Sequence, residues 1–75
     1  DLVRNVNFVK YAGLDQPMEA ISKVRYKDSG ALSTISQEYD KVRIDFVHNV
    51  KGIAPGQSAV FYEGNDLLGG GFLMK

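Results

Sequence analysis

An all-β chain is what the sequence predicts, and three observations carry that expectation. Apolar and polar residues alternate at a period of two over most segments, not at the three-and-four spacing of a helix. Turn chemistry recurs at short intervals, in Asp28-Ser29-Gly30, Pro55-Gly56 and Gly64-Asn65. The segments between such turns read as six short strands in 75 residues. Strands this short leave exposed edges unless the sheet closes, so the expected architecture is a small closed or partly closed six-stranded β-barrel, rich in antiparallel pairs.

Each element has its own signal. Over residues 3–11, Val6 and Phe8 alternate with Asn5 and Asn7 until Tyr11-Ala12-Gly13 breaks the pattern, and this is the first strand. Asp15-Gln16-Pro17 has the form of a helix start, but the β-like stretch from Met18 follows within one turn, so a turn is expected instead. Residues 20–27 place Ala20, Ser22, Val24 and Tyr26 on one face and Ile21, Lys23, Arg25 and Lys27 on the other. Asp28-Ser29-Gly30 then turns the chain into a partner strand from Ala31 to Gln37. After Glu38-Tyr39, the run Val42, Ile44, Phe46 against Lys41, Arg43, Asp45 gives one buried and one wet face. Pro55-Gly56 fits a type II turn, with Pro presetting φ and Gly supplying the positive φ that follows. Ser58 to Glu63 is the next strand, and Gly64-Asn65 is a tight hairpin turn into the last, Leu67 to Met74.

Composition bounds the function. Nine Lys and Arg balance nine Asp and Glu, 44% of residues are hydrophobic, and there is no Cys. The length allows one small domain, residues 1–75, which buries only about 60% of its unfolded surface. No disulfide framework can assist it. No apolar run approaches the roughly 20 residues of a membrane-spanning helix, and no basic-then-apolar leader opens the sequence. Zero net charge argues against a free-standing nucleic-acid binder that relies on bulk electrostatics. The chain opens at Asp1 without an initiator Met, which suits a piece of a larger protein.

The side chains do not assemble an obvious catalytic set. His48 is the lone histidine and has no spaced partner, which fits a loop residue better than a ligand or base. Ser22, Ser29, Ser33, Ser36 and Ser58 would all have to share it in any triad. Gly69-Gly70-Gly71 could form an anion nest, yet β-like residues follow where a phosphate loop would feed a helix. Close approach of a neighbouring backbone is the favoured reading. The best binding surface is the stripe Lys23, Arg25, Lys27, whose alternate positions put three cations within about 14 Å on one face. Lys41 and Arg43 could extend it from a neighbouring strand. A solvated edge is the competing reading of such a stripe.

Lys23-Val24-Arg25-Tyr26-Lys27, then Ile53-Ala54-Pro55-Gly56-Gln57-Ser58-Ala59-Val60-Phe61-Tyr62, then Leu68-Gly69-Gly70-Gly71 resemble the C-terminal domain of the bacterial tRNA-specific 2-thiouridylases. The resemblance covers most of the chain and is strongest from Ile53 to Phe72. It departs at Val47-His48-Asn49-Val50, where relatives often carry Glu-Pro. It implies a β-barrel similar to those of translation elongation factors, attached to a catalytic domain and a small central domain. The implied cytoplasmic enzyme uses ATP and persulfide sulfur from a donor protein to thiolate the wobble uridine of tRNA. Its catalytic cysteines and ATP loop lie outside this chain, which is then catalytically silent, with no cofactor or metal of its own. The implied task is holding the anticodon arm of tRNA. Lys23, Arg25 and Lys27 match the family's basic strand and are the leading RNA contacts, joined by Lys41 and Arg43. Gln57 stands between two readings, an RNA or domain contact and a side chain bonded to its own turn. A structural barrel that docks the catalytic domain or a sulfur-delivery protein and barely touches RNA is the alternative function.

Overall fold

The computed structural model describes residues 1–24 and 29–74. Arg25, Tyr26, Lys27 and Asp28, with the expectations placed on them, lie outside the described residues, as does Lys75. Six strands form: β1 (Leu2–Phe8), β2 (Met18–Lys23), β3 (Ala31–Glu38), β4 (Lys41–Phe46), β5 (Ser58–Glu63) and β6 (Asp66–Leu73). They close in the order β1-β4-β3-β2-β5-β6, with β6 returning to β1, and every pair is antiparallel. The barrel expected from the short strands is therefore closed. No helix among the described residues is long and apolar enough to cross a membrane.

The period of two decides which side chains fill the barrel. Ala20, Ser22 and Val24 point inward, as do Ile35, Val42, Ile44, Ala59, Phe61, Leu68 and Leu73, and all are buried. Two hydroxyls share this apolar interior. Ser33 donates to the Ala20 carbonyl at 2.9 Å, and its oxygen lies 2.7 Å from that of Ser22. With the Ser33 proton committed to the carbonyl, Ser22 is the donor between the two. Neither hydroxyl is left without a partner, which is the condition for burying it cheaply. Two of the serines weighed as nucleophiles are thus core residues.

Strand β1 departs from simple alternation. Arg4 pairs with Phe72 and Asn7 with Gly70, so Asn5 and Val6 together face one residue of β6. This is a β-bulge, and Asn5 takes a left-handed φ of 54° that asparagine tolerates better than most residues. The extra residue turns both Arg4 and Asn5 to solvent and lets Val3 and Val6, three apart, both face inward.

The glycine triplet belongs to the seam between β5, β6 and β1. A Cβ on Gly71 would sit 2.4 Å from the Arg4 carbonyl oxygen and 2.7 Å from Val3 Cγ1, and one on Gly69 only 2.2 Å from the Asn7 carbonyl oxygen. Neighbouring backbones occupy the space a side chain would need, which is the favoured reading of the triplet. At Pro55-Gly56, Gly56 has φ +88° and the Gln57 amide donates to the Ala54 carbonyl at 3.3 Å, the type II turn expected there. Backbone bonds from Gly56 N to the Leu73 carbonyl and from Leu73 N to the Gln57 carbonyl pin this turn to the end of β6.

Candidate nucleic-acid interface

The cations expected to act together are separated by the ring order. Lys23 lies on β2, facing Val60 of β5 across one strand gap. Lys41 and Arg43 lie on β4, and β3 stands between β4 and β2. The expectation that Lys41 and Arg43 occupy a strand next to Lys23 is therefore corrected. The register parts them further. Ala31 faces Ser22 beside Lys23, whereas Ser36 and Glu38, toward the far end of β3, face Arg43 and Lys41. That is about 20 Å along the strands.

The two groups also differ in what neutralises them. Arg43 Nε donates to Glu38 Oε2, and Lys41 Nζ lies 3.0 Å from Asp40 Oδ1. The Arg43 hydrogen bond holds the Glu38 carboxyl below its ordinary range and raises the guanidinium in return, while Lys41 lowers Asp40 in the same way. Both pairs are exposed and add little to stability. They do commit the β4 cations to carboxylates of the β3–β4 hairpin.

Lys23 is held differently. Its ammonium sits 4.9 Å from the centroid of the Tyr62 ring, and no carboxylate among the described residues pairs with it. Arg4 repeats the pattern at the other side of the wall, its guanidinium carbon 5.4 Å from the Phe72 centroid. A cation over an aromatic face keeps its full charge and its hydrogen-bond donors toward solvent. The outer wall of β1, β6, β5 and β2 thus presents two cations on aromatic rings, with Asn5, Asn7 and Ser58 exposed between them.

Gln57 is engaged by its own turn. Its Oε1 accepts the Ala54 N–H at 2.9 Å, so the side chain braces Pro55-Gly56 in the way the second of its two readings anticipated. Arg4, Asn5, Asn7 and Phe72 are not among the site residues expected from the sequence; alternation sets Asn5 and Asn7 on the wet face, but it cannot put Arg4 there beside Asn5. The available signal was the three-residue spacing of Val3 and Val6 around an asparagine, which marks a bulge in a strand.

Lys10 clamps the loop after β1 to the β5–β6 turn, with its ammonium also 5.6 Å from the centroid of the Tyr11 ring. Its Nζ lies 2.8 Å from Asp66 Oδ2 and 2.9 Å from Glu63 Oε1, and Tyr11 donates to the same Glu63 oxygen at 2.8 Å. Asp66 first and Glu63 second push the lysine pKa upward, and Lys10 followed by Tyr11 pulls Glu63 down. His48 lies exposed in the loop after β4. Among the described residues, no three metal-binding side chains converge.

One apolar feature runs from this wall onto β3 and the loop after β4. Leu67 pairs with Tyr62, Tyr62 with Ile21, and Ile21 with Leu32, while Val47 N donates to the Leu32 carbonyl. Leu67, Leu32 and Val47 are 43%, 46% and 55% exposed. Contiguous exposed apolar side chains are a feature of interaction surfaces.

Comparison with known proteins places these features in a family. Residues 2–73 match the model of the aminomethyltransferase β-barrel domain. The tRNA-specific 2-thiouridylase of Cytophaga hutchinsonii is 58% identical over 55 residues, covering 73% of this chain and 15% of that enzyme. That of Amoebophilus asiaticus is 42% identical over 72 residues, covering 95% of this chain and 19% of the enzyme. The Clostridium kluyveri enzyme is 39% identical over 75 residues, covering 97% and 21%. The chain thus spans about a fifth of the length of the curated relatives it matches.

Proposed function

The chain belongs to the aminomethyltransferase β-barrel domain family, as found at the C-terminus of tRNA-specific 2-thiouridylases, and from that premise we propose that it is the accessory tRNA-holding domain of such an enzyme. The reaction is the ATP-dependent replacement of the wobble uridine's 2-oxygen by persulfide sulfur, in the cytoplasm. It belongs to the parts of the enzyme beyond this barrel. The barrel supplies orientation and binding energy, and its own residues carry out no covalent step. The sequence has no cysteine to carry sulfur, and neighbouring backbones crowd the glycine triplet where a phosphate loop would need open amides.

The observation that carries the RNA reading is the placement of Lys23 and Arg4 over aromatic rings on one wall, with no carboxylate partner among the described residues. Lys23 opens the stripe that Arg25 and Lys27 continue in sequence, and these three grip phosphates of the anticodon arm. Such contacts fix register without reading bases. Lys41, Arg43 and Gln57 rank behind them, since each is engaged within the barrel. A neutral module suffices for this task. Tethering to the rest of the enzyme raises its effective concentration at the tRNA, so weak intrinsic affinity is enough.

The apolar row Leu67, Tyr62, Ile21, Leu32 favours a second reading, in which the barrel mainly docks the catalytic or central domain. Salt separates the two. Titrating a labelled anticodon stem-loop with the barrel at low and moderate salt, by fluorescence anisotropy, should give binding that weakens steeply with ionic strength. A triple variant, Lys23→Ala with Arg25→Ala and Lys27→Ala, checked for folding by circular dichroism, should lose most of it. Absence of binding at low salt, or binding untouched by the triple change, would leave the docking reading as the better one.

A further inference from the structure

Between the two ring-borne cations the outer wall carries a shallow groove of about 280 Å³, lined among others by Asn5, Asn7, Ser58, Val60, Gly70 and Phe72. We propose that this groove seats one unpaired nucleotide of the RNA, its base against the Phe72 ring and its edge on the Asn5 and Asn7 amides. The proposal rests on the RNA-holding reading above and names the part of the RNA that this wall takes.

The register builds the groove. Arg4, Phe72 and Ser58 stand in one row across β1, β6 and β5, and Asn7, Gly70, Val60 and Lys23 in the next across β1, β6, β5 and β2. Gly70 has no side chain, so the floor dips between Asn7 and Val60. Phe72 is 43% exposed in a barrel whose other phenylalanines face or pack on the core. The bulge at Asn5 turns a second amide beside that of Asn7. An amide offers both donors and an acceptor, which is what the Watson–Crick edge of an unstacked base requires.

Charge decides the occupant. Arg4 and Lys23 bracket the groove across three strand spacings, about 14 Å of sheet, and their positive charge complements phosphates on either side of a seated base. A peptide strand has no purchase, since the closed ring leaves no sheet edge to extend. A duplex presents phosphates and 2′-hydroxyls but keeps its bases stacked, leaving the ring and both amides unused.

The test uses the 75-residue barrel with a short single-stranded RNA carrying a central 2-aminopurine, and the same strand in a duplex. Binding of the single strand should quench the 2-aminopurine and exceed duplex binding. Phe72→Leu should weaken it about tenfold, the loss typical of one base–aromatic stack. The salt slope should stay unchanged, because no phosphate contact is removed. Phe72→Tyr should restore affinity, and Asn7→Ala, at an exposed position, should weaken it about fivefold. If Phe72→Leu and Asn7→Ala both stay within about twofold of the parent while the Lys23, Arg25, Lys27 variant still loses binding, the groove is wrong and the phosphate-gripping reading survives. If the folded parent binds neither RNA at low salt, both fall.

Discussion

Two of the barrel's described cation groups differ in what they rest on: on β4, Lys41 and Arg43 lie against carboxylates, whereas Lys23 on β2 and Arg4 on β1, the strand beside β4, lie against aromatic rings. Formal charge does not distinguish them. A cation hydrogen-bonded to a carboxylate has its field cancelled within a few ångströms, whereas one over a ring still projects its charge outward. A basic residue is therefore an interface candidate according to its nearest neighbour, and the neighbour is set by strand order and register.

The largest effect expected is one that removes the ring-bearing wall altogether. Gly71→Val would drive a side chain into the Arg4 carbonyl and Val3, both within 3 Å of the position of a Cβ, and would part β6 from β1. A loss of about 3 kcal/mol or more is expected in urea unfolding, a large share of what so small a domain has. RNA binding should vanish with it. A barrel that tolerates this change would mean that the seam is not closed as described.

Next in size is the direct contrast between the clusters. Arg4→Ala with Lys23→Ala should lower affinity for the anticodon stem-loop about tenfold and reduce the salt slope by about two. Lys41→Ala with Arg43→Ala should leave affinity within about twofold, because those charges are already answered. Equal losses from the two double variants would erase the distinction.

Much of the fold is legible in the sequence, and the remainder is hidden for identifiable reasons. The inward faces of β2 and β4 follow from the alternation of Ala20, Ser22, Val24 and of Val42, Ile44. The Pro55-Gly56 turn follows from the φ preferences of its two residues. Ring order was hidden, because a local pattern does not say that β3 lies between β2 and β4. The bulge at Asn5 had only the three-residue spacing of Val3 and Val6 to announce it, since the strand it is measured against, β6, is far away in sequence. The Arg43–Glu38 pair lay within reach, since a two-residue turn at Tyr39-Asp40 sets Glu38 opposite Lys41 and Ser36 opposite Arg43.

The smallest effect separates the clusters by pH. Arg43 lowers the Glu38 carboxyl in the folded chain, and Lys10 followed by Tyr11 lowers that of Glu63. A carboxyl with a depressed folded pKa stabilises fully above its unfolded value, near 4.3, and that contribution is lost as pH falls through the folded value. Because these groups are exposed, the urea midpoint should fall only slightly between neutral pH and the acid range, and Glu38→Gln should remove part of the fall. In an NMR titration over the same range, the Arg43 Nε–H signal should shift as Glu38 takes up its proton. The Phe72 ring, whose charged neighbour Arg4 has no carboxylate partner among the described residues, should hold its position. Shifts of Phe72 in step with those of Arg43 would show that the charge on β4 reaches Arg4 on the neighbouring β1, and the contrast between the two groups would then be one of degree.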